Sequence, residues 1–153
     1  MEQIMIRKAQ LHDVDTLCIF EQGVISAERP LDSTLKKDPI YYYDIESMIT
    51  ATDVELVVAT LNDKLIGSGY ARIEKAKPYL QHAQHAYLGF MYVVPEHRGK
   101  GVNKLIIDAL IKWSAAKNIT ELRLDVYQNN AAAIAAYEKA GFTKHMVEMR
   151  MGI

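Results

Sequence analysis

The sequence contains little that would crosslink the chain or bind a metal. It has 153 residues and one cysteine, Cys18, so it cannot form an internal disulfide. No group of Cys and His residues has the spacing of a zinc site, and we expect no metal. These absences fit a reducing cytoplasm, which is the expected location. Cys18 is expected to pack in the first helix as a small apolar side chain, not to act as a nucleophile.

An excess of one charge and long apolar runs are also missing. Lys plus Arg number 18 against 19 for Asp plus Glu, so the net charge of -1 gives no overall field that would attract nucleic acid or an anionic membrane. No window approaches 18 uninterrupted apolar residues, and the first seven residues lack the basic and apolar regions of a signal peptide. We therefore expect no nucleic acid, no membrane and no export by that route.

The composition that remains is that of one globular domain. Half of the residues are hydrophobic and 24% are charged, which excludes a disordered tail, a collagen-like fibre and a low-complexity array. A chain of this length buries roughly 70% of its unfolded surface. No linker is long enough to divide it, so residues 1–153 are expected to form a single domain.

Apolar periodicity predicts a mixture of strands and helices. A first strand near Ile4 and Ile6 precedes a helix that is capped near Asp13 and runs to about Ser26. After a second short helix over 43–50, the pair Asn62-Asp63 predicts the turn of a hairpin between strands over 55–59 and 64–73. The remaining predictions are a strand over 86–94, a long helix from Val102 through Trp113, a strand over 122–126, a helix over 130–140 and a final strand through Val147, Met149 and Met151. This order predicts an α/β fold with a mixed sheet.

A glycine-rich loop opens the long helix and is the first candidate site. It contains Gly99 and Gly101 after Arg98. Glycine lets the backbone approach a ligand, the first-turn N–H groups have no partner within the helix, and the helix dipole favours negative charge. With Lys100 and Lys104 nearby, the loop is expected to bind an anion, and a solvated turn is the alternative. Gly-Lys-Ser/Thr and G-x-G-x-x-G are both absent, so it is neither a P-loop nor a dinucleotide fingerprint.

A second motif follows the next predicted strand, and the two motifs together indicate a family. Residues 93–101 have the pattern V-x-P-x-x-R-G-x-G, and residues 130–142 have the pattern N-x-x-A-x-x-x-Y-x-x-x-G-F. Their order and their strand-helix-strand-helix context resemble the GNAT superfamily of acetyl-CoA-dependent N-acetyltransferases. The motif match covers residues 87–142, and the element order extends the resemblance over the whole chain. It implies a GNAT-like, largely antiparallel central sheet flanked by helices on both faces.

The resemblance also implies where acetyl-CoA, the cosubstrate, would bind. Its pantetheine arm would pair with the main chain at Met91 and Val93, where the strand is splayed from its neighbour, and Asn130 would bond the same region. Asn103 stands where the family loop usually has Gly or Ala, but its N–H still donates, so binding is expected to persist. The residues that would cradle the diphosphate are Arg98, Gly99, Lys100, Gly101, Val102 and Asn103.

Tyr137 is the catalytic residue that the resemblance implies, and it would also contact the cosubstrate. Its hydroxyl would lie near the thioester sulfur and protonate the departing thiolate. A phenol with an ordinary pKa of about 10 stays protonated at neutral pH and can serve as this acid. A core aromatic on a helix is the alternative interpretation. A backbone N–H near Val93 is the expected donor to the developing oxyanion.

The base and the acceptor pocket are less sharply indicated. No Asp or Glu lies between Tyr87 and Val94, where many relatives carry the base. The available carboxylates are Glu28, Glu74 and Asp125, and each is alternatively a solvated surface charge. The pocket expected from residues 28–44 and the hairpin favours a small amine with an anionic or aromatic group, unless the tyrosines simply pack under the loop. Its candidate substrate-binding residues are Arg29, Tyr42, Tyr43, Arg72 and Glu74.

Three functions compete at this point. The leading hypothesis is transfer of an acetyl group from acetyl-CoA to a primary amine of a small molecule, by direct attack in a ternary complex. An enzyme that acetylates a protein or peptide is the nearest rival, and it would need an open groove. A non-catalytic acyl-CoA-binding module is the third, against which Tyr137 beside an intact loop argues. A homodimer is compatible with all three.

Overall fold

The computed structural model describes residues 2–153 and shows a five-stranded sheet with helices on both faces. Neighbouring strands are antiparallel except β4 and β5, which are parallel. The predicted fold class is therefore confirmed. No helix within residues 2–153 is long and apolar enough to cross a bilayer. In chain order the elements are β1 Met5–Lys8, α1 Val14–Glu28, α2 Ile45–Thr50, β2 Val54–Leu61, β3 Lys64–Lys75, β4 Gln84–Val93, α3 Val102–Ala116, β5 Leu122–Arg123 and α4 Ala131–Ala140.

Each face of the sheet carries its own hydrophobic core, because alternate strand residues point to opposite sides. In β2, Leu56 and Val58 join the core that α1 and α2 cover, whereas Val57 and Ala59 join the core that α3 covers. The sheet is thus a middle layer between α1 and α2 on one side and α3 on the other.

The turn between β2 and β3 forms at the predicted place. Leu61 pairs with Lys64, which leaves Asn62 and Asp63 as a two-residue loop. Their φ angles are 51° and 62°. Two positive φ values define a type I′ turn, whose twist matches that of antiparallel strands, and Asn and Asp tolerate this conformation better than most residues.

A bulge in β4 reverses the direction of its side chains. The register against β3 contains one extra β4 residue between Gly89 and Tyr92. Phe90 lies inside this interval with φ of 54°. Leu88 packs in the core under α3, whereas Phe90, two residues later, packs in the core under α1 and α2. After the bulge, each β4 side chain therefore lies on the face of the sheet opposite to the one that simple alternation predicts.

Neighbouring side chains hold the bulge from two directions. The hydroxyl of Ser68 on β3 donates to the Phe90 carbonyl at 3.0 Å. The Tyr43 ring, from the segment before α2, stacks on the Phe90 ring with 4.5 Å between centroids. The Tyr70 ring lies directly over Gly89, where an added Cβ would lie 2.6 Å from the tyrosine hydroxyl oxygen. Only glycine fits at that position without displacing the ring.

We expect Gly89→Ala to lower the free energy of unfolding by about 1–3 kcal/mol, the usual cost of overpacking a core. The Tyr70 ring has little room to retreat, because the rings of Tyr43 and Tyr87 pack beside it. Urea unfolding at neutral pH measures the change. Gly152→Ala is the matched control, because its added methyl group meets no atom within 4 Å. A midpoint for Gly89→Ala equal to that of the control would contradict the packing described for the bulge.

β4 and β5 separate after two paired positions. Ala86 pairs with Leu122 and Tyr87 with Arg123, and the described ladder goes no further. β5 ends at Arg123, whereas β4 continues to Val93. The edge of β4 that faces away from β3 is therefore unpaired over residues 88–93 and borders a gap between β4 and β5. This agrees with the splay that the resemblance implied.

Three details of the sequence prediction are wrong. Residues 142–153 form neither a helix nor a strand, and Val147, Met149 and Met151 are exposed. Alternation favours a strand only where a neighbouring edge is free to pair, and β5 is just two residues long, shorter than predicted. Cys18 is exposed, because it lies one position past buried Leu17 and off the packed face of α1.

Candidate active site

The loop before α3 forms a set of backbone donors that face open space. Gly101 begins the helix and supplies no side-chain cap, so the first-turn N–H groups of residues 102–104 have no partner from the cap or from the helix. Gly99 and Gly101 have φ angles of 76° and 81°, in the left-handed region that favours glycine. An added Cβ at either position would meet no atom within 4 Å. This arrangement suits the oxygens of a phosphate group.

Arg98 and Lys100 supply the positive charge at this loop. The Nε of Arg98 donates to the carbonyl of Val93 at 2.8 Å, and its guanidinium carbon lies 5.7 Å from the centre of the Tyr92 ring. These contacts place the guanidinium where β4 meets the loop. The Lys104 ammonium is paired with Asp108 at 2.7 Å, so it contributes less charge than the sequence suggested.

Met91 and Val93 lie on the part of β4 that borders the gap. After the bulge their side chains pack toward the core under α3, so the main chain is what they offer to the gap. An extended molecule with amide groups can add to such an edge as an extra strand. The gap also leads directly to the loop before α3. One molecule with an amide-containing arm and terminal phosphates would fit both places at once.

Helix α1 crosses the sheet and ends beside the gap. It begins next to β1, where the Arg7 guanidinium donates to Asp13 at 2.8 and 2.9 Å. It lies against β4 at Gly23, where an added Cβ would lie 2.6 Å from the Tyr92 ring. The helix then ends at Glu28 on the β5 side of β4, because Asp32, four residues further on, contacts Tyr127 in the segment after β5.

Helix α4 follows β5 in the chain, carries Tyr137 and is capped by Asn130. The Oδ1 of Asn130 caps the helix by accepting from the Ala133 N–H at 3.3 Å, which leaves its amide nitrogen as a donor. The Tyr137 ring contacts Phe142 edge-on at 6.0 Å. Burial raises the pKa of Tyr137 to about 12, and the negative charge of Glu28 adds to the rise. The hydroxyl therefore stays protonated at neutral pH and interacts with the end of α1.

Hydrogen bonds join the loop after α1 to the segment before α4. The Tyr127 hydroxyl donates to Asp32 at 2.9 Å, across 95 positions of sequence. Asp32 also accepts from the Thr34 hydroxyl and N–H and lies 3.6 Å from Arg150. The Thr34 and Tyr127 hydrogen bonds lower the pKa of Asp32 to about 2. This connection ties together the two segments that flank the gap, and no sequence pattern predicted it.

Comparison with known proteins identifies the family. Residues 23–142 match the model of the acetyltransferase (GNAT) family. The chain belongs to the GNAT family. Over 79 residues it is 30% identical to an aminoglycoside N(6′)-acetyltransferase type 1 of Klebsiella aerogenes, and the match covers 50% of this chain and 51% of the relative. Over 68 residues it is 34% identical to a mycothiol acetyltransferase of Amycolatopsis mediterranei (strain U-32), and the match covers 42% of this chain and 23% of the relative.

A solved structure with the same fold contains the GNAT cosubstrate. It is a predicted acetyltransferase with acetyl-CoA from Clostridium acetobutylicum, with a TM-score of 0.73 at 18% identity over 98% of this chain and 96% of that one. Acetyl-CoA is the cosubstrate of the GNAT family, and the donors of the loop and the edge of β4 fit its diphosphate and its amide-containing arm. The chain spans about half, or less, of the length of the two curated relatives.

In this GNAT chain the two arginines predicted to bind the acceptor are already engaged. Arg29 donates to the carbonyl of Lys36 at 2.8 Å and to the carboxylate of Asp38 at 2.6 Å, both within its own loop. Arg72 donates twice to Glu74, at 3.0 and 2.7 Å. Neither guanidinium is left without a carboxylate, so neither is a ready partner for an anionic acceptor.

The predicted tyrosines divide into one packing residue and one that reaches Glu28. Tyr43 stacks on Phe90 and supports the bulge, as the packing alternative expected. Burial raises the pKa of Tyr42, and the nearby carboxylate of Glu28 raises it further. Sequence reasoning missed Glu21, whose buried carboxylate accepts the N–H groups of Tyr42 and Tyr43 at 2.8 and 2.7 Å. The sequence signal that could have revealed Glu21 is the presence of a carboxylate on the apolar face of α1.

Proposed function

We propose that this protein transfers the acetyl group of acetyl-CoA to a primary amine of a small molecule, by direct attack of the amine in a ternary complex. One observation carries the proposal: the uncapped start of α3 directly follows the part of β4 whose edge is left open toward β5. Tyr137 on α4, the helix after β5, would complete the site, and its pKa is raised by burial and by the charge of Glu28. A glycine-rich turn, a short strand or a packed tyrosine would each be ordinary alone. Membership of the GNAT family supports giving them one shared task.

The loop and the strand edge would hold the cosubstrate. The N–H groups at the start of α3 would donate to the diphosphate, and the positive charge of Arg98 and Lys100 would balance it. The main chain at Met91 and Val93 would pair with the pantetheine arm, and the amide nitrogen of Asn130 would donate to the same arm. The carbonyl of the thioester would then lie near the bulge, where a β4 N–H is available to a developing negative charge.

Tyr137 would donate its proton to the sulfur as the carbon–sulfur bond breaks. Its pKa of about 12 prevents ionisation of the hydroxyl across the neutral range, so the proton is present when it is needed. The edge-on contact with Phe142 fixes the ring from one side. This contact would help to hold the hydroxyl at the departing thiolate.

Direct attack by the amine is favoured over an acyl-enzyme. Although Cys18 is exposed, partial desolvation of its thiol and the negative charges of Glu21 and Asp15 raise its pKa, which keeps it in its poorly nucleophilic form. Cys18 also lies ten residues before the end of α1, about 15 Å along the helix from the gap. Within residues 2–153 no other thiol is present.

The charges beside the gap favour a cationic acceptor. Glu28 and Asp32 lie at the end of α1, and Asp125 accepts from the Tyr87 hydroxyl at 3.2 Å. Since Arg29 and Arg72 are each paired with a carboxylate, an acceptor with several amino groups suits this surface better than an anionic one. The name of the Klebsiella aerogenes relative, an aminoglycoside acetyltransferase, supports this class.

Mass spectrometry of a defined amine panel tests the proposal. The panel contains kanamycin, tyramine, glucosamine 6-phosphate and an unstructured peptide with a lysine and a free N-terminus, each incubated with acetyl-CoA. We expect kanamycin to gain acetyl groups fastest and the peptide slowest. Efficient acetylation of the peptide with no small-molecule product would favour the protein-acetylating rival. Binding of acetyl-CoA with no product from any amine would favour a non-catalytic module.

A further inference from the structure

Glu28 is the carboxylate whose placement the fold leaves unexplained. Within the described residues, no Lys, Arg or His lies within ion-pair distance of it. The other two carboxylates that the sequence offered as bases are placed differently. Glu74 is tied to Arg72 at 2.7 Å and to His85 at 3.2 Å, and Asp125 is exposed and already accepts from Tyr87.

Helical spacing places Glu28 on the packed face of α1. Leu17, Glu21 and Ile25 are buried on that face, and Glu28 follows Glu21 after seven residues, or two turns. Gly23 marks the crossing over β4, so Glu28 lies about 7.5 Å further along the axis. This position is on the β5 side of β4, because Asp32, four residues further on, accepts from Tyr127 in the segment before α4. The Glu28 side chain is half-buried there.

The groups around Glu28 are mainly hydroxyls and one further carboxylate. Burial raises the pKa of four tyrosines, and the charge of Glu28 adds to the rise in each: Tyr42, Tyr43, Tyr127 and Tyr137. Asp32 is the neighbouring carboxylate, and its own partners are Tyr127, Thr34 and Arg150. Arg29, next in sequence, turns away to Asp38.

We propose that Glu28 is the general base that removes the proton from the ammonium group of the acceptor. This inference rests on the proposed acetyl transfer and adds to it the group that makes the amine nucleophilic. Burial raises the pKa of Glu28, which makes the carboxylate a better proton acceptor than an exposed one. The acceptor amine would lie between Glu28 on α1 and Tyr137 on α4, with the thioester on β4 below it.

The proton balance of the step is complete with these two groups. Glu28 takes the first proton and releases the neutral amine. The nitrogen then forms its bond to the carbonyl carbon, the carbon–sulfur bond breaks with its electron pair on sulfur, and Tyr137 gives its proton to that sulfur. The second proton of the nitrogen returns through water to Tyr137, and Glu28 releases its proton to solvent.

The test compares Glu28→Gln with the wild type on kanamycin and on the other amines of the panel. At pH 7 we expect kcat for Glu28→Gln to fall by about a hundredfold or more, the usual range for loss of a general base. The deficit should shrink as the pH rises through the pKa of the acceptor amine, because a neutral amine needs no base. Glu28→Asp, which keeps the carboxylate, should recover part of the activity, and Asp15→Asn on the exposed side of α1 should have none of these effects.

Binding and activity separate the possible outcomes. Calorimetry should show unchanged CoA affinity for Glu28→Gln. A deficit that is equal at every pH, or that Glu28→Asp does not relieve, would show a structural role and overturn this inference. Full activity of Glu28→Gln would overturn it while the proposed function stands. A wild type that acetylates none of the amines would overturn the proposed function and Glu28 as its base together.

Discussion

Tyr137→Phe is expected to lower kcat by about a hundredfold to ten-thousandfold, the contribution typical of a general acid. Phenylalanine keeps the ring and its edge-on contact with Phe142, so the helix and the cosubstrate should be held as before. The proton that the departing thiolate requires is the only thing removed. Turnover of the best amine of the panel measures kcat, and calorimetry with CoA measures binding.

The matched control for this substitution is Tyr79→Phe. Tyr79 is 77% exposed in the segment between β3 and β4, so its hydroxyl can be removed without touching the gap. The control should retain wild-type kcat. If Tyr137→Phe retained it as well, water or another group would protonate the thiolate, and the assignment of Tyr137 would be wrong.

Gly101→Glu is expected to remove most of the measurable affinity for CoA. The residue has a φ of 81°, so any side chain strains the loop, and glutamate adds a negative charge where the diphosphate is expected. Its side chain would occupy the open space that now faces the N–H groups of α3. Calorimetric titration with CoA at low and moderate salt measures the loss, and wild-type affinity should itself weaken as salt rises.

Two further variants separate charge from strain in this loop. Gly101→Ala strains the backbone without adding charge, and it should weaken CoA binding less than glutamate does. Gly152→Glu adds the same charge at an exposed position where an added Cβ meets nothing within 4 Å, and it should leave affinity unchanged. Wild-type affinity in Gly101→Glu would place the diphosphate away from this loop.

Features that depend on local chemistry were predictable from the sequence. Asn62 and Asp63 indicate a turn because both residues tolerate positive φ. The loop with Gly99 and Gly101 indicates the start of α3 because helix periodicity begins immediately after it. The candidate cosubstrate site could be located for the same reason. It consists of a short continuous segment whose backbone groups, more than its side chains, provide the binding.

Features that depend on distant neighbours were not predictable in the same way. The bulge at Phe90 exists because Ser68 and Tyr43 hold it from other elements, and the strand itself contains no sign that its alternation reverses. The contact of Asp32 with Tyr127 joins residues that only the tertiary fold brings together. The final strand was predicted from alternation alone, which does not reveal whether a partner edge exists.

The acceptor side of the site shows the same limit. The sequence suggested that Arg29 binds an anionic group of the acceptor, but its guanidinium is already paired with Asp38 in the same loop. Glu28 was one of three carboxylates with equal claims in the sequence, and the fold distinguishes them by their partners: Glu74 is paired with Arg72, and Asp125 accepts from Tyr87. Charge pairing within a folded loop depends on its conformation, which the sequence alone does not specify.

A crystal structure of the protein with CoA tests the central claim most directly, namely that acetyl transfer takes place in the gap between β4 and β5. We expect diphosphate oxygens within about 3.2 Å of the N–H groups of residues 102–104, the distance of a hydrogen bond. We also expect the pantetheine arm along Met91 and Val93 and the sulfur beside the hydroxyl of Tyr137. A CoA molecule whose sulfur lies outside the gap, away from both Tyr137 and Glu28, would contradict it.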